Sequence, residues 1–387
     1  MTSLASNQLS PDVESSTTTI KLPVVKHGVE NKGVFEFTLE NTNVSIANAL
    51  RRVLLADIKA VVFDTDNDKI NIYENTTRFH NEILKQRLGC IPIHIKDLDG
   101  IENLIIELNV NNESDSIKYV TSKDFTIKDI VTDKYLTTEE TKSIFPSNKL
   151  TKEYVLFTRL RPKISNDIVG ETINLNVKLK TATAKQDGMY NVVSTCAFGN
   201  TEDKVEQHNQ WQSISEELES KGLNGHRIEY ERKNWYTLQA KRYFIQDSFD
   251  FKIETVGVYT NVELINMGCD NIIRRLDKIK EKCDNKQLKL NKKSTAMENA
   301  VDVILQGEDY TIGKVIEFVL HEQYYKKDRE LSYVGFIKKH PHDDYSIIRM
   351  AFSGEGDTSL TDVNVYSMVK FACDVGIKLF ANIKEYF

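Results

Sequence analysis

The chain has 387 residues, 51 Lys and Arg against 57 Asp and Glu, and a net charge of −6. At roughly 100–200 residues per domain this length makes two or three domains, and 40% apolar residues supply cores for them. Gripping nucleic acid through its phosphates calls for a basic surplus, so this acidic chain is not a nucleic-acid clamp by itself, and any such role is local or indirect.

Residues 1–22 read as a disordered tail, since 1–19 hold nine Ser or Thr and little that can pack. Phe35, Phe37 and Leu39 then alternate with polar residues, the mark of a half-buried strand. After the polar turn Glu40–Asn43 the pattern predicts a helix, with Ser45 as its N-cap. At about 100° per residue, Ile46, Ala49, Leu50, Val53 and Leu54 share one face, while Arg51 and Arg52 project from the other side. Residues 60–63 and 70–73 read as strands flanking an acidic hairpin turn. A helix is expected over Thr77–Leu88 with Gly89 just past its end. Short alternating runs fill 100–180, among them Leu104–Leu108 and Ile173–Leu179. Residues 201–244 are polar and helix-prone around Trp211 and Trp235. Phe249, Phe251 and Ile253 alternate again, a long helix runs over Val262–Ile279, and the charged stretch Lys280–Lys293 reads as a helix end passing into a linker.

The five cysteines, Cys90, Cys196, Cys269, Cys283 and Cys373, form no C-x-x-C, which is neither a disulfide framework nor a zinc-finger pattern. A reducing compartment is the expectation. No apolar run is long enough to span a membrane, and the N-terminal residues lack the basic and apolar regions of a secretory signal.

The chain carries an internal repeat. A shift of 266 positions puts Phe35, Phe37 and Leu39 on Val301, Val303 and Leu305, and Asn43 and Ser45 on Asp309 and Thr311. Ile46, Leu50, Val53 and Leu54 fall on Ile312, Ile316, Val319 and Leu320. Thr260-Asn261-Val262 and Thr361-Asp362-Val363 each open a final helix. The apolar stripe is kept, but Arg51 and Arg52 become Glu317 and Phe318. Shared inner faces with different outer faces imply a pseudo-two-fold pair within one chain, packed through the stripes and presenting different outer surfaces.

The segment Phe37–Ala56 (FTLENTNVSIANALRRVLLA) resembles the signature of the alpha-like subunits of multisubunit DNA-directed RNA polymerases, as in archaeal D and the third polymerase II subunit. Glu74–Thr77, His80–Glu82, Arg87–Pro92, Val192–Phe198 and Phe251–Gly257 are similar to the same family. From about residue 297, Gly307–Lys314, Tyr333–Phe336, His340–His342 and Ile347–Arg349 resemble the smaller partner, archaeal L or the eleventh polymerase II subunit. The resemblance implies an α+β fold with two related strand–helix dimerisation halves, equivalent to a bacterial alpha dimer. The first half is discontinuous, 23–59 and 245–283. A mainly β domain, 60–244, is inserted in it, a linker spans 284–296, and the second half spans 297–387. It implies a non-catalytic platform that nucleates assembly of the largest and second-largest subunits. Small subunits resembling the tenth and twelfth are further partners, and nucleic acid is met only through the complex. Arg51, Arg52, Asn48, Glu74 and Arg87 are the implied contacts to other subunits. Fusion of the two subunits in one polypeptide is similar to the machinery of large cytoplasmic DNA viruses, which implies work in host cytoplasm and in the virion, or in the nucleus if the chain is cellular. The larger family members commonly carry a cysteine-ligated metal in or near the inserted domain. Residues 101–195 contain no cysteine, so no metal or other cofactor is expected.

Rival chemistry has thin support. Gly307-x5-Gly313-Lys314 is one residue too long for a phosphate loop, and Val315 replaces its Ser or Thr. Asp64, Asp66 and Asp68 alternate as in a calcium loop, but Lys69 stands where that loop needs Gly. His340-Pro-His-Asp-Asp344 offers metal ligands without regular spacing. A metal-dependent enzyme built on these clusters, and a stand-alone nucleic-acid-binding module, are the alternatives. No nucleophile–base pair is evident, and no catalytic residue is assigned.

Overall fold

A computed structural model of the chain describes residues 20–66, 69–163, 165, 169–292, 297–353 and 361–387. Most of the expected tail, and Asp68 of the acidic turn, lie outside the described residues.

Strands β1 (Val24–Asn31) and β2 (Val34–Glu40) lead into helix α1 (Val44–Ala56). There follow β3 (Lys59–Phe63), β4 (Ile70–Asn75), α2 (Asn81–Gly89), β5 (Leu104–Asn111), β6 (Lys118–Thr121), β7 (Thr126–Asp129) and β8 (Lys134–Tyr135). Next come α3 (Thr138–Ile144), β9 (Leu156–Leu160), β10 (Thr172–Thr183), β11 (Val193–Glu202), α4 (Lys204–Ser220), α5 (Gly225–Leu238) and β12 (Phe244–Thr255). The chain continues through α6 (Asn261–Asp284), β13 (Lys289–Asn291), β14 (Ala300–Gln306), α7 (Tyr310–Leu320), β15 (Leu331–Ile337), β16 (Tyr345–Phe352) and α8 (Asp362–Lys384). The fold class is α+β, and no helix among the described residues is long and apolar enough to cross a membrane.

The chain divides into two compact units. The first takes residues up to 53, 195–253 and 265–387; the second takes 54–194 and 254–264. The first unit holds two four-stranded sheets of matching order, β1-β2-β12-β11 and β13-β14-β16-β15. The repeat is therefore structural: β2 and β14 span positions 266 apart, and each is followed by its helix, α1 or α7. The corners match as well. Asn41 (φ +55°) and Gly307 (φ +77°) both adopt the left-handed conformation that Asn and Gly tolerate. Two residues later the chain caps the helix: Asn43 Oδ1 accepts from Ser45 N at 2.8 Å, and Asp309 Oδ1 accepts from Thr311 N at 2.9 Å. The cap of α1 is thus Asn43 rather than Ser45. Both residue types cap well, and the left-handed turn at Asn41 delivers Asn43 to the position.

Two expectations about the connections change. The segment expected as a linker contributes β13, whose Lys289, Leu290 and Asn291 pair with Ile304, Val303 and Asp302. Leu288 is buried and Leu290 partly so, and this gives a short edge strand its register. Residues 204–238, expected within the inserted domain, form a helical hairpin between β11 and β12 and belong to the first unit with them. In the second half, β15 and β16 are joined at that place by a loop of seven residues, 338–344. Trp211 and Trp235, 5.8 Å apart, give the hairpin its own small core.

In the second unit β10 is the central strand. Its C-terminal part pairs with β3 and its N-terminal part with β4 along one side, while β5, β7 and β8 continue the sheet on the other. The acidic turn does not make a hairpin; β3 and β4 follow one another along β10. Phe63, Phe125, Phe145 and Phe157 centre the core. Helix α2 starts four residues later than expected and contains Gly89. Gly89 is its last residue, lies against the Met189 side chain and does not adopt the left-handed conformation of a glycine helix stop.

Candidate assembly interface

Helix α1 and helix α7 bury the stripes that the repeat predicts. Ile46, Leu50, Val53, Ile312, Ile316, Val319 and Leu320 are fully buried in the first unit, and Leu54, equally buried, is the first residue of the second. Burying a side chain of this size contributes roughly 1.5–3 kcal/mol, which explains why the stripe survives in both copies.

The polar ties between the two halves were not read from the sequence. Arg52 donates from Nε to Thr311 Oγ1 (2.9 Å) and from Nη2 to Asp309 Oδ2 (3.1 Å). Arg275 of α6 donates from Nε to Glu308 Oε2 at 3.0 Å and forks onto the same carboxylate through Nη2. Two arginines of the first half thus hold the acidic corner that opens α7. Burial pushes the Asp309 carboxyl up, but the Thr311 hydrogen bonds and the Arg52 and Arg275 guanidinium groups outweigh it and leave its pKa lowered. The clue in the sequence was the repeat itself: Asp309 stands where Asn43 does, and Arg52 has no arginine counterpart, so one side alone has the charges for a cross-link.

The long helices α6 and α8 are antiparallel and ion-paired. Asp270 meets Lys384 at 2.7 Å, Lys280 meets Asp374 at 2.5 Å, and Asp284 meets Lys370. Each step along α6, 10 and then 4 residues, is matched by an equal step back along α8. The close approach is set by Gly376, where a Cβ would stand 2.9 Å from Leu276 Cδ1. Phe387 packs edge-on against Phe35 and Phe37 at 5.9 and 5.2 Å. The ion-paired side chains remain partly open to water, 33–52% exposed, so the pairs fix register more than they add stability.

Four strand residues show how the two sheets diverge. Glu36 pairs with Lys252 at 2.8 Å, with both side chains at least half exposed. Its counterpart Asp302 is nearly inaccessible and takes both prongs of Arg349, its cross-strand neighbour, at 2.6 and 2.8 Å.

The residues implied as contacts to other subunits separate into two groups. Asn48 Oδ1 accepts from Arg51 Nε and Nη2 at 3.1 and 2.9 Å, so these two sit together, half-buried, on the outer side of α1. Glu74 is exposed on β4. Arg52, by contrast, is engaged by Asp309 and Thr311 of its own chain. Arg87 is likewise engaged: it donates to the backbone carbonyls of Phe157 (2.5 Å) and Leu156 (3.1 Å) and lies over the Phe79 ring.

The rival clusters are tied up locally. Asp64 and Asp66 each bind Lys180 at 2.9 Å, and hydrogen bonding to Lys180 holds Asp66 below the ordinary carboxylate value. His340 Nδ1 accepts from His342 N at 3.2 Å, closing a turn. Gly307 makes the corner, Gly313 lies against the Phe336 ring, and Lys314 pairs with Glu317. Among the described residues no group of three or more His, Cys, Asp or Glu is placed to hold a metal ion. Burial pushes the thiols of Cys196, Cys269 and Cys283 up to about 12, and that of Cys373 well above its ordinary value; Cys90 alone is exposed.

The family model for the RNA polymerase Rpb3/Rpb11 dimerisation domain matches residues 36–276, more than half of the chain. The chain belongs to that family. It is 25% identical over 288 residues to a conjugation stage-specific protein of Tetrahymena thermophila, a match covering 64% of this chain and 90% of that one. It is 35% identical over 85 residues to DNA-directed RNA polymerase II subunit RPB3 of Schizosaccharomyces pombe, covering 22% of this chain and 27% of the relative. It is 41% identical over 70 residues to human DNA-directed RNA polymerases I and III subunit RPAC1, covering 18% of each. The chain thus aligns with less than a third of the length of either polymerase subunit.

Proposed function

We propose that the chain is a non-catalytic assembly subunit of a DNA-dependent RNA polymerase, combining the larger and the smaller alpha-like subunits in one polypeptide. The observation that supports this best is the pair of halves with the same strand order, the same left-handed corner and the same helix cap, tied to each other by Arg52 and Arg275. The family match ends at residue 276, and the second half repeats the first half's architecture beyond it. On this reading the platform nucleates the largest and second-largest subunits, with Asn48, Arg51 and Glu74 available to them, and small subunits like the tenth and twelfth joining later. Nucleic acid is met only through the complex. A chain that unites both halves suits a virus carrying its own transcription machinery into the host cytoplasm.

Native mass spectrometry of the endogenous complex tests the proposal. The expected result is one copy of this chain with one copy of each catalytic polymerase subunit. A complex without catalytic subunits would sink it.

A further inference from the structure

The second sheet of the first unit has two unlike edges. Strand β13 covers three residues and carries Lys289, an exposed charge that discourages further pairing. Strand β15 is seven residues long and holds no charge and no proline. It pairs with β16 on one side, and among the described residues no strand takes its other side. A shift of register between Leu331 and Tyr333 leaves Tyr333–Ile337 as its regular stretch. The start of α8 is tied to the opposite edge: Asp362 pairs with Lys292 at 2.8 Å, and Tyr366 donates to the Leu288 carbonyl at 3.2 Å.

Both faces of β15 are apolar and incompletely covered. Phe336 points toward α7, where its ring lies against Gly313 and meets Tyr310 edge-on at 5.0 Å. Tyr310 itself stays nearly half exposed. Side chains alternate along a strand, so Tyr333, Gly335 and Ile337 face the other way. The Tyr333 side chain lies against Gly335, and Tyr333 and Ile337 remain 42% and 48% exposed. Cross-strand register sets Ile337, Ile347 and Ile304 in one row on this face. The repeat supplies a comparison. Ile304 stands 266 positions from Thr38 of the first sheet, whose hydroxyl donates to Asp250 at 2.8 Å in an exposed hydrogen bond. The same place is polar and hydrated in one half and apolar in the other.

Charge beside this edge is sorted. Lys338 and Lys339 directly follow β15, and neither has an ion-pair partner among the described residues. The aspartates of the same loop lie inward, before β16: Asp343 accepts from His340 N at 3.1 Å, and the Asp344 carbonyl accepts from Gly307 N at 2.6 Å, next to β14. Arg329 and Glu330, ahead of β15, offset each other.

We propose that β15 is a docking edge for one extended segment of a partner polypeptide, added antiparallel like the other strands of this sheet. Backbone bonds to the open side of β15 hold it, and the side chains on both faces select it. A strand covered on both faces is apolar at successive positions, so the segment is apolar opposite Tyr333–Ile337. Its N-terminal end carries acidic residues, which come to lie beside Lys338 and Lys339. The proposal needs a partner chain and not the polymerase reading.

Amide hydrogen exchange of the full chain, isolated and in its endogenous complex, is the first test. Amides of Tyr333–Ile337 that point away from β16 should exchange about tenfold or more slowly in the complex; unchanged exchange overturns the proposal. The photocrosslinker p-benzoylphenylalanine in place of Tyr333 then identifies the occupant. The expected link is to a partner's apolar run preceded by Asp or Glu. Links confined to this chain, to a second copy of it, or to a segment without acidic residues overturn the proposal. The linked segment, synthesised as a peptide, should bind the Lys338→Glu, Lys339→Glu double variant about fivefold or more weakly than wild type. The double variant should melt as wild type does, and undiminished binding by the folded variant counts against the acidic end.

Discussion

Asp309 does two jobs at one atom pair: Oδ1 caps α7 and Oδ2 receives Arg52. Asp309→Asn keeps the cap, since Asn caps about as well, and removes the charge. Because the folded-state pKa of Asp309 is lowered, its ionised form adds stability above the ordinary carboxylate pKa of about 3.9, and that stability is lost as pH falls through the folded value. Wild type should therefore exceed the variant by roughly 1–2 kcal/mol near neutral pH, with the gap closing below about pH 4. Denaturant titrations of both proteins at several pH values check this; a gap that persists in acid would contradict the ion-pair account. The other residue-scale expectation concerns Arg51. Reversing Arg51 and Arg52 together reads from the sequence as a change that blocks capture of another subunit and leaves the fold intact, but Arg52 ties the halves. Arg51→Glu alone is the clean variant: it should shift stability by no more than about 0.5 kcal/mol while impairing capture of the second-largest subunit, read by co-purification. At this scale the sequence was a poor guide, because Arg52 and Arg87 look like exposed cations until the fold brings Asp309 or the carbonyls of β9 to them.

At the scale of elements the sequence said more. A stripe at helical spacing and an alternating strand are properties of neighbours along the chain, so β2, α1, β14, α7, β12 and the two long helices were all legible. Pairing between strands was not. That β3 and β4 share one side of β10, or that Lys289–Asn291 joins β14, depends on partners distant in the chain. Leu50→Ala and Ile316→Ala should each cost roughly 2–5 kcal/mol, since both are fully buried. Thermal or urea unfolding measures this, and unchanged midpoints in both variants would mean the stripes are not packed. Asp302→Ala should cost about 3 kcal/mol by stranding the Arg349 guanidinium; the equivalent Glu36→Ala on the exposed pair should cost about 1 kcal/mol or less. Comparing these two separates position in the repeat from burial.

For the whole molecule, the repeat alone revealed two related halves, and the resemblance supplied an inserted domain. The boundaries moved because sheet membership decides them: β11 belongs beside β12, and the helical hairpin between them goes where they go. If the halves are joined as a closed pair within one chain, association between them is intramolecular, at an effective concentration on the order of millimolar for a short connection. The unfolding midpoint should then not depend on protein concentration across the micromolar range. A midpoint that rises with concentration would point to pairing between chains.

That join between α6 and β14 also sets a hazard. Each half carries a surface complementary to the other, and nothing in the ion-pair ladder of α6 and α8 distinguishes a helix of the same chain from one of a neighbour. Above the millimolar range, or when refolding is crowded, halves can trade partners and chains can link reciprocally into swapped dimers or longer runs. Such species would be held by native contacts throughout, so they would keep a native spectrum, elute early in gel filtration, and revert on dilution only as fast as the halves let go.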